Sequence, residues 1–184
     1  MGAVRANAAR KIFASLVLVL LLAALFFLFY RPPLNFLSQQ PLELYFSLVS
    51  EEGETVSPVT RPVPRRWKTE ERLEQAIRLL LAGPDETEKS AGYETELPTG
   101  AELISCWVEG DLAFLNFSPR VEDGGGTASM RNRLRQIVFT ATQFPGINRV
   151  RFLIDGETIK YFSSEGLTEV ENPLGRSDFE KEEE

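Results

Sequence analysis

The chain has no histidine and a single cysteine, Cys106. Without histidine there is no Ser-His-Asp or Cys-His catalysis and no imidazole metal site. One cysteine forms no internal disulfide, so the fold must stand on its hydrophobic core. Cys106 alternates with Ile104 and Val108 in "ELISCWVE", which predicts a small buried hydrophobe rather than a nucleophile. Acids are absent from the first 31 positions, whose four charged residues are Arg5, Arg10, Lys11 and Arg31. The remainder then carries 16 basic residues against 27 acidic ones, a net of −11. Such a surface repels nucleic acid and anionic headgroups, so no nucleic-acid partner is expected. Carboxylates are plentiful, but no pair is spaced so as to mark it for glycosidase work. No catalytic residue, metal or cofactor is expected, and the chain does not read as an enzyme.

Charge is also missing from Ile12 to Tyr30, "IFASLVLVLLLAALFFLFY". At about 1.5 Å per residue a helix of that stretch matches the hydrocarbon core of a bilayer. Basic residues precede it, so the positive-inside bias puts the N-terminus in the cytoplasm and the rest outside. A signal peptide would have a shorter apolar core followed by small residues. Here Phe26, Phe27, Phe29 and Tyr30 follow Ala23-Ala24, and no cysteine stands ready for lipidation. The expected organisation is a cytoplasmic N-terminus and transmembrane anchor over 1–31, a linker over 32–41, one domain over 42–162, and an acidic, mobile C-terminal tail over 163–184. The expected location is the cytoplasmic membrane, single-pass, with the domain extracytoplasmic.

Within the domain, Leu42 to Val49 reads as a strand. Thr55 to Pro64 reads as its partner, confined to a sheet edge by Pro58, Pro62 and Pro64. Thr69 to Ala82 has Leu73, Ala76, Ile77, Leu80 and Leu81 on one helical face, with Thr69 as cap and Gly83-Pro84 as stop. Asp85 to Gly100 reads as a long polar loop. Glu102–Glu109 and Leu112–Phe117 flank Gly110-Asp111 as a hairpin. Ala128 to Gln143 places Met130, Leu134, Ile137, Val138 and Ala141 on a buried stripe. Val150–Ile154 and Glu157–Ile159 flank Asp155-Gly156, a pair suited to a type I′ turn. Two amphipathic helices need a sheet face to bury against. The expected fold is therefore α+β, a two-layer sandwich of two helices on a mostly antiparallel sheet, preceded by the transmembrane helix.

Gly124-Gly125-Gly126 precedes the second helix and raises the question of phosphate binding. A P-loop needs a lysine and a hydroxyl after its glycines, but Thr127, Ala128 and Ser129 follow here. The G-x-G-x-x-G spacing of a dinucleotide site is absent too. A structural turn is the better reading, with positive φ at the glycines and Thr127 or Ser129 as cap. On the helix that follows, Arg131 and Arg135 share a face, and Arg133 lies between them. Arg131 and Arg135 are candidates for contact with an acidic partner, the alternative being a solvated face paired with local acids. Trp107 is a candidate binding surface, the alternative being packing.

Leu97 to Ile159 resembles the GerM domain of bacterial sporulation and spore-germination proteins. The marks are Leu97-Pro98-x-Gly100, Gly110, Phe117-Ser118, the three glycines, Phe144-Pro145-Gly146, and Val150 leading to Asp155-Gly156; upstream, "LLLAGP" over 79–84 fits the first helix and its end. The resemblance implies a small extracytoplasmic domain, similar in fold to the ring-building domains of envelope assemblies, without known catalytic residues. It implies association with the complex linking mother cell and forespore and with cell-wall steps. The sequence departs from common patterns in carrying an anchor instead of a lipidated cysteine, one domain where some relatives have two, and Asn116 where aspartate is frequent. The expected function is a membrane-anchored, non-catalytic interaction or assembly module of the cell envelope. Its partners would be envelope proteins or a second copy. The alternative is a protein that binds or hydrolyses peptidoglycan.

Overall fold

The computed structural model describes residues 15–22, 25–26, 39–50, 53–65, 68–163 and 168–180. The chain divides into two units, Met1–Gln39 and Gln40–Glu184. In the first unit, residues 15–22 and 25–26 are helical. Their apolar side chains are exposed, Leu20 by 63% and Val19 by 64%. Among the described residues, no helix is long and apolar enough to cross a membrane. The rest of the expected span lies outside them.

The first strands are β1 (Gln39–Ser50), all but its first residue in the second unit, and β2 (Gly53–Pro64). Then come α1 (Thr69–Leu81), a short α2 (Glu86–Ser90) and β3 (Tyr93–Glu94). Next are β4 (Leu103–Glu109), β5 (Leu112–Phe117), a 3-10 turn at Pro119–Glu122 and α3 (Thr127–Ala141). The chain continues through β6 (Arg149–Ile154), β7 (Glu157–Thr158), β8 (Tyr161–Phe162), β9 (Thr168–Glu169) and α4 (Ser177–Glu180). The fold is α+β, as the sequence predicts, but its strands divide among three sheets. They run β2-β1-β3, β4-β5-β6-β7 and β8-β9.

The four-stranded sheet is mixed. β4 and β5 are antiparallel across the two-residue turn, whereas β5 and β6 are parallel. A mostly antiparallel sheet was the expectation. The parallel pair arises because α3 connects β5 to β6, and a crossover helix returns the chain in the same direction. One face of this sheet carries Ala113, Leu115 and Phe117 beside Val150 and Phe152, all fully buried. Leu73, Ala76, Ile77 and Leu80 of α1 join them, as do Leu134, Ile137, Val138 and Ala141 of α3. The helical spacing read from the sequence thus marks the buried stripes of both helices.

α3 also seals the edge of β1 beyond its short pairing with β3. Gln136 Nε2 donates to Ser47 Oγ at 3.0 Å, Tyr45 N donates to Thr140 Oγ1 at 3.1 Å, and Glu43 N donates to Gln143 Oε1 at 2.8 Å. Two polar side chains of α3, and Gln143 just past its end, thus meet groups of β1 that the packing takes wholly or partly out of water.

Several local expectations are corrected. Lys68, not Thr69, precedes the first turn of α1, and its backbone N–H donates to Glu71 Oε2 at 3.0 Å. The stretch taken as a long loop contains α2, which starts because Asp85 Oδ1 accepts from the N–H groups of Thr87 and Glu88, both at 2.9 Å. Residues 168–180 of the expected mobile tail are packed. Val170 and Phe179 are 1% and 5% exposed, and Leu174 exchanges backbone hydrogen bonds with Val150 at 2.8 and 2.9 Å. Arg176 stacks over Tyr45 and Phe139, at 5.0 and 4.8 Å from the ring centroids, and its Nη2 donates to Phe139 O at 2.9 Å. An apolar residue every few positions was enough to anchor this acidic segment.

Candidate functional site

The glycine run lies over a buried cation. Arg133 is 2% exposed. Its Nε donates to Glu96 O at 2.8 Å, its Nη1 to Val121 O at 2.6 Å and its Nη2 to Gly124 O at 3.3 Å. One guanidinium therefore joins the polar segment before β4, the 3-10 turn and the glycines to α3. Burial pushes its pKa down, and the acids Glu96, Asp123 and Glu122 act against that. Gly124 and Gly125 have φ of 64° and 83°, as a glycine turn requires. Gly126 does not: its φ is −101°, and it precedes the first turn of α3 with no side-chain cap. The expected capping by Thr127 or Ser129 is corrected, since Thr127 is already helical and Ser129 Oγ bonds to Glu96 Oε2. A phosphate cradle presents N–H groups inward. This turn directs the Gly124 carbonyl at the protein's own cation.

Asp155 and Gly156 both have positive φ, 48° and 86°, which is the type I′ geometry expected of them. Gly156 N donates to Asn116 Oδ1 at 2.8 Å, and Asn116 Nδ2 donates to Ser105 Oγ at 3.3 Å. The Asn116 amide thus uses both ends to tie β4 and β5 to the β6–β7 turn, a junction that the sequence did not disclose.

The structure does not bring the other singled-out residues together. Arg131 lies over the Phe179 ring at 5.5 Å and donates to Asp178 O at 3.3 Å. It lines a cavity of about 300 Å³ with Thr127, Leu134, Glu169 and Phe179. Arg135 lies over the Phe139 ring at 5.3 Å. Trp107 is half-buried on β4, stacked on Phe114 of β5 with centroids 4.7 Å apart and planes 4° apart, and its Nε1 donates to Glu109 Oε1 at 3.0 Å. A sugar platform needs an open ring face, and Phe114 covers one of the two that Trp107 has.

Cys106 is half-buried rather than buried, because its strand is the last of the sheet. Desolvation, then the charge of Glu74, push its thiol up to about 11. A thiolate is the reactive form, so burial holds the group in its less reactive thiol form at neutral pH. We expect the thiolate absorbance of the folded protein to titrate with a midpoint near 11. A midpoint below 8 would make Cys106 a reactive thiol. Among the described residues, no group of three or more Cys, Asp or Glu side chains could hold a metal ion.

A protein-family model described as Germane, sporulation and spore germination, matches residues 43–160. No curated protein matches the chain. Among solved structures, the tandem GerMN domains of the sporulation protein GerM from Bacillus subtilis superpose with a TM-score of 0.61 at 21% identity. That match covers 76% of this chain and 46% of the tandem structure, so the chain spans about half the length of that relative. The first GerMN domain of the same protein gives a TM-score of 0.60 at 23% identity, covering 76% of this chain and 99% of that one. A putative lipoprotein from Clostridium perfringens gives 0.54 at 23% identity, covering 78% and 92%.

Proposed function

The chain belongs to the Germane family of sporulation and spore germination, and from that premise we propose that it is a membrane-anchored, extracytoplasmic interaction module of the bacterial cell envelope. One observation carries the non-catalytic half. The buried polar side chains Ser47, Asn116, Arg133, Gln136 and Thr140 all hold strands, turns or helices in place. Chemistry needs a polar group poised toward an open site, and these are consumed by the fold. The uncharged run from Ile12 to Tyr30, with basic residues before it, supports the anchor. The exposed apolar side chains at 15–22 suit lipid better than water. The family supports a role in sporulation or spore germination.

Two measurements test this reading. Protease added to intact spheroplasts should trim the domain and leave a small membrane-bound stub. Protection of the whole domain would reverse the topology. The full chain in detergent should release no fragments from purified peptidoglycan. Release that is lost on replacing a single Asp or Glu would establish a hydrolase instead.

A further inference from the structure

Most sheet edges of the domain are closed. Pro58, Pro62 and Pro64 interrupt β2. Thr140 of α3 and Gln143 just past its end seal β1. β6 is covered at its end by β7 and at Val150 by Leu174. Among the described residues, the remaining long edge is β4, the end strand of the four-stranded sheet and free of proline.

The register fixes what that edge offers. Glu109 and Leu112 flank a two-residue turn and so exchange hydrogen bonds. Alternation then points the N–H and C=O groups of Cys106 and Val108 away from β5. The Val108 N–H accordingly reaches Glu70 Oε1 of α1, across a long 3.4 Å. A bulge at Ile104 ends the regular run and leaves that side chain 50% exposed.

Beside this edge, α1 carries an open groove whose far part is shared with the start of β4. Two depressions of about 380 Å³ each share Arg78 as a wall. One lies against Glu71 and Glu74, the other against Leu81, Glu102 and Leu103. Glu71, Glu74 and Glu102 line the two depressions with Arg78, which Glu74 already holds at 2.8 Å, and Glu70 stands beside them at Val108. Edge and groove together therefore combine outward strand groups, of which the Val108 N–H is held only by the long bond to Glu70, with the exposed Ile104 side chain and a surplus of negative charge.

We infer that this groove docks an extended segment of a partner protein in which basic residues alternate with apolar ones, added as a short strand along β4. The inference rests on the interaction-module reading above. Backbone rungs at Cys106 and Val108 would give affinity, and the glutamates would select basic side chains. The partner is not a second copy paired through its own β4. A two-fold pairing would set the acidic side chains Glu70, Glu74 and Glu102 along one edge against the same side chains of the other copy.

The test uses the full chain in zwitterionic detergent and synthetic peptides of alternating Lys and Val. Binding should slow amide hydrogen exchange at Cys106 and Val108 by about tenfold or more. Raised salt should weaken it by about tenfold. Glu70→Gln with Glu102→Gln should weaken it about fivefold, and Ile104→Lys should abolish it. Equal binding by a control peptide of alternating Glu and Val, or by a Lys-Val peptide methylated on alternate backbone nitrogens, would overturn the proposal. So would protection elsewhere in the domain. A photo-crosslinking residue placed at Ile104, Pro58 or Arg131 in native membranes separates the two readings. Protein adducts at Pro58 or Arg131 but never at Ile104 overturn the groove and leave the module standing. Adducts at none of the three overturn both.

Discussion

Arg133→Met should lower the unfolding free energy by about 3–5 kcal/mol. The charged guanidinium donates to three carbonyls from three separate segments, Glu96, Val121 and Gly124. Hydrogen bonds to a charged donor contribute roughly 1.5–3 kcal/mol each, and a buried acceptor left without a partner costs its desolvation. Val121 is fully buried, so water reaches its carbonyl poorly, whereas the exposed Gly124 rehydrates. The loss is therefore less than three full bonds. Methionine fills much of the space, so the effect is polar rather than a cavity. Urea unfolding followed by near-UV circular dichroism should show a lower midpoint with an unchanged slope. Arg133→Lys should recover part of the loss, because one ammonium cannot span three diverging acceptors. A change below about 1 kcal/mol for Arg133→Met would mean that the three segments hold without the cation.

Arg133 also shows how far the sequence can be read. Met130, Leu134, Ile137 and Ala141 marked the buried stripe of α3 correctly, because burial follows the helical period. Arg133 lies three residues after Met130 and four before Ile137, on that same stripe. Its charge suggested a solvated face, but its position was the stronger signal. Gln136 and Thr140 carried the same message, and what they meet depended on β1, about ninety residues away in sequence. The β5–β6 pair read as part of an antiparallel sheet until the crossover through α3 was placed. The C-terminal segment read as a tail because its acids outnumber its apolar residues. Val170, Leu174 and Phe179 nevertheless bury or pair against β6 and α3. Local turns were the most readable parts, since Asp155-Gly156 and Gly110-Asp111 carry their geometry in their own residues. The groove along β4 was not readable. It depends on which strand ends a sheet, and that is a tertiary fact.

Gly125→Val should cost more than the same change at either neighbouring glycine, about 2–4 kcal/mol. The three residues look equivalent in "EDGGGTAS", but their surroundings differ. Gly125 has φ of 83°, and a Cβ added there would stand 2.5 Å from Ser129 Oγ, 2.9 Å from Ser129 Cβ and 3.4 Å from Arg133 Nη2. Valine must therefore adopt a left-handed backbone that β-branching resists, and it must also push Ser129 away from Glu96. Gly124 has φ of 64° with open space around its Cβ position, so Gly124→Val should cost only the backbone term, about 1–2 kcal/mol. Gly126 has ordinary φ and open space, so Gly126→Val should cost about 1 kcal/mol or less, as the loss of a favoured cap residue. Thermal unfolding of the three variants should rank them in that order, and equal effects at 124 and 125 would remove the Ser129 contact from the explanation. The pair Gly125→Val and Arg133→Met decides whether turn and cation form one unit. Valine at 125 disturbs the same guanidinium that methionine at 133 removes. The double variant should then lose less than the two single losses combined, by about 1 kcal/mol or more. Strict additivity would show that the glycine turn is strained locally and that Arg133 holds only Glu96 and Val121.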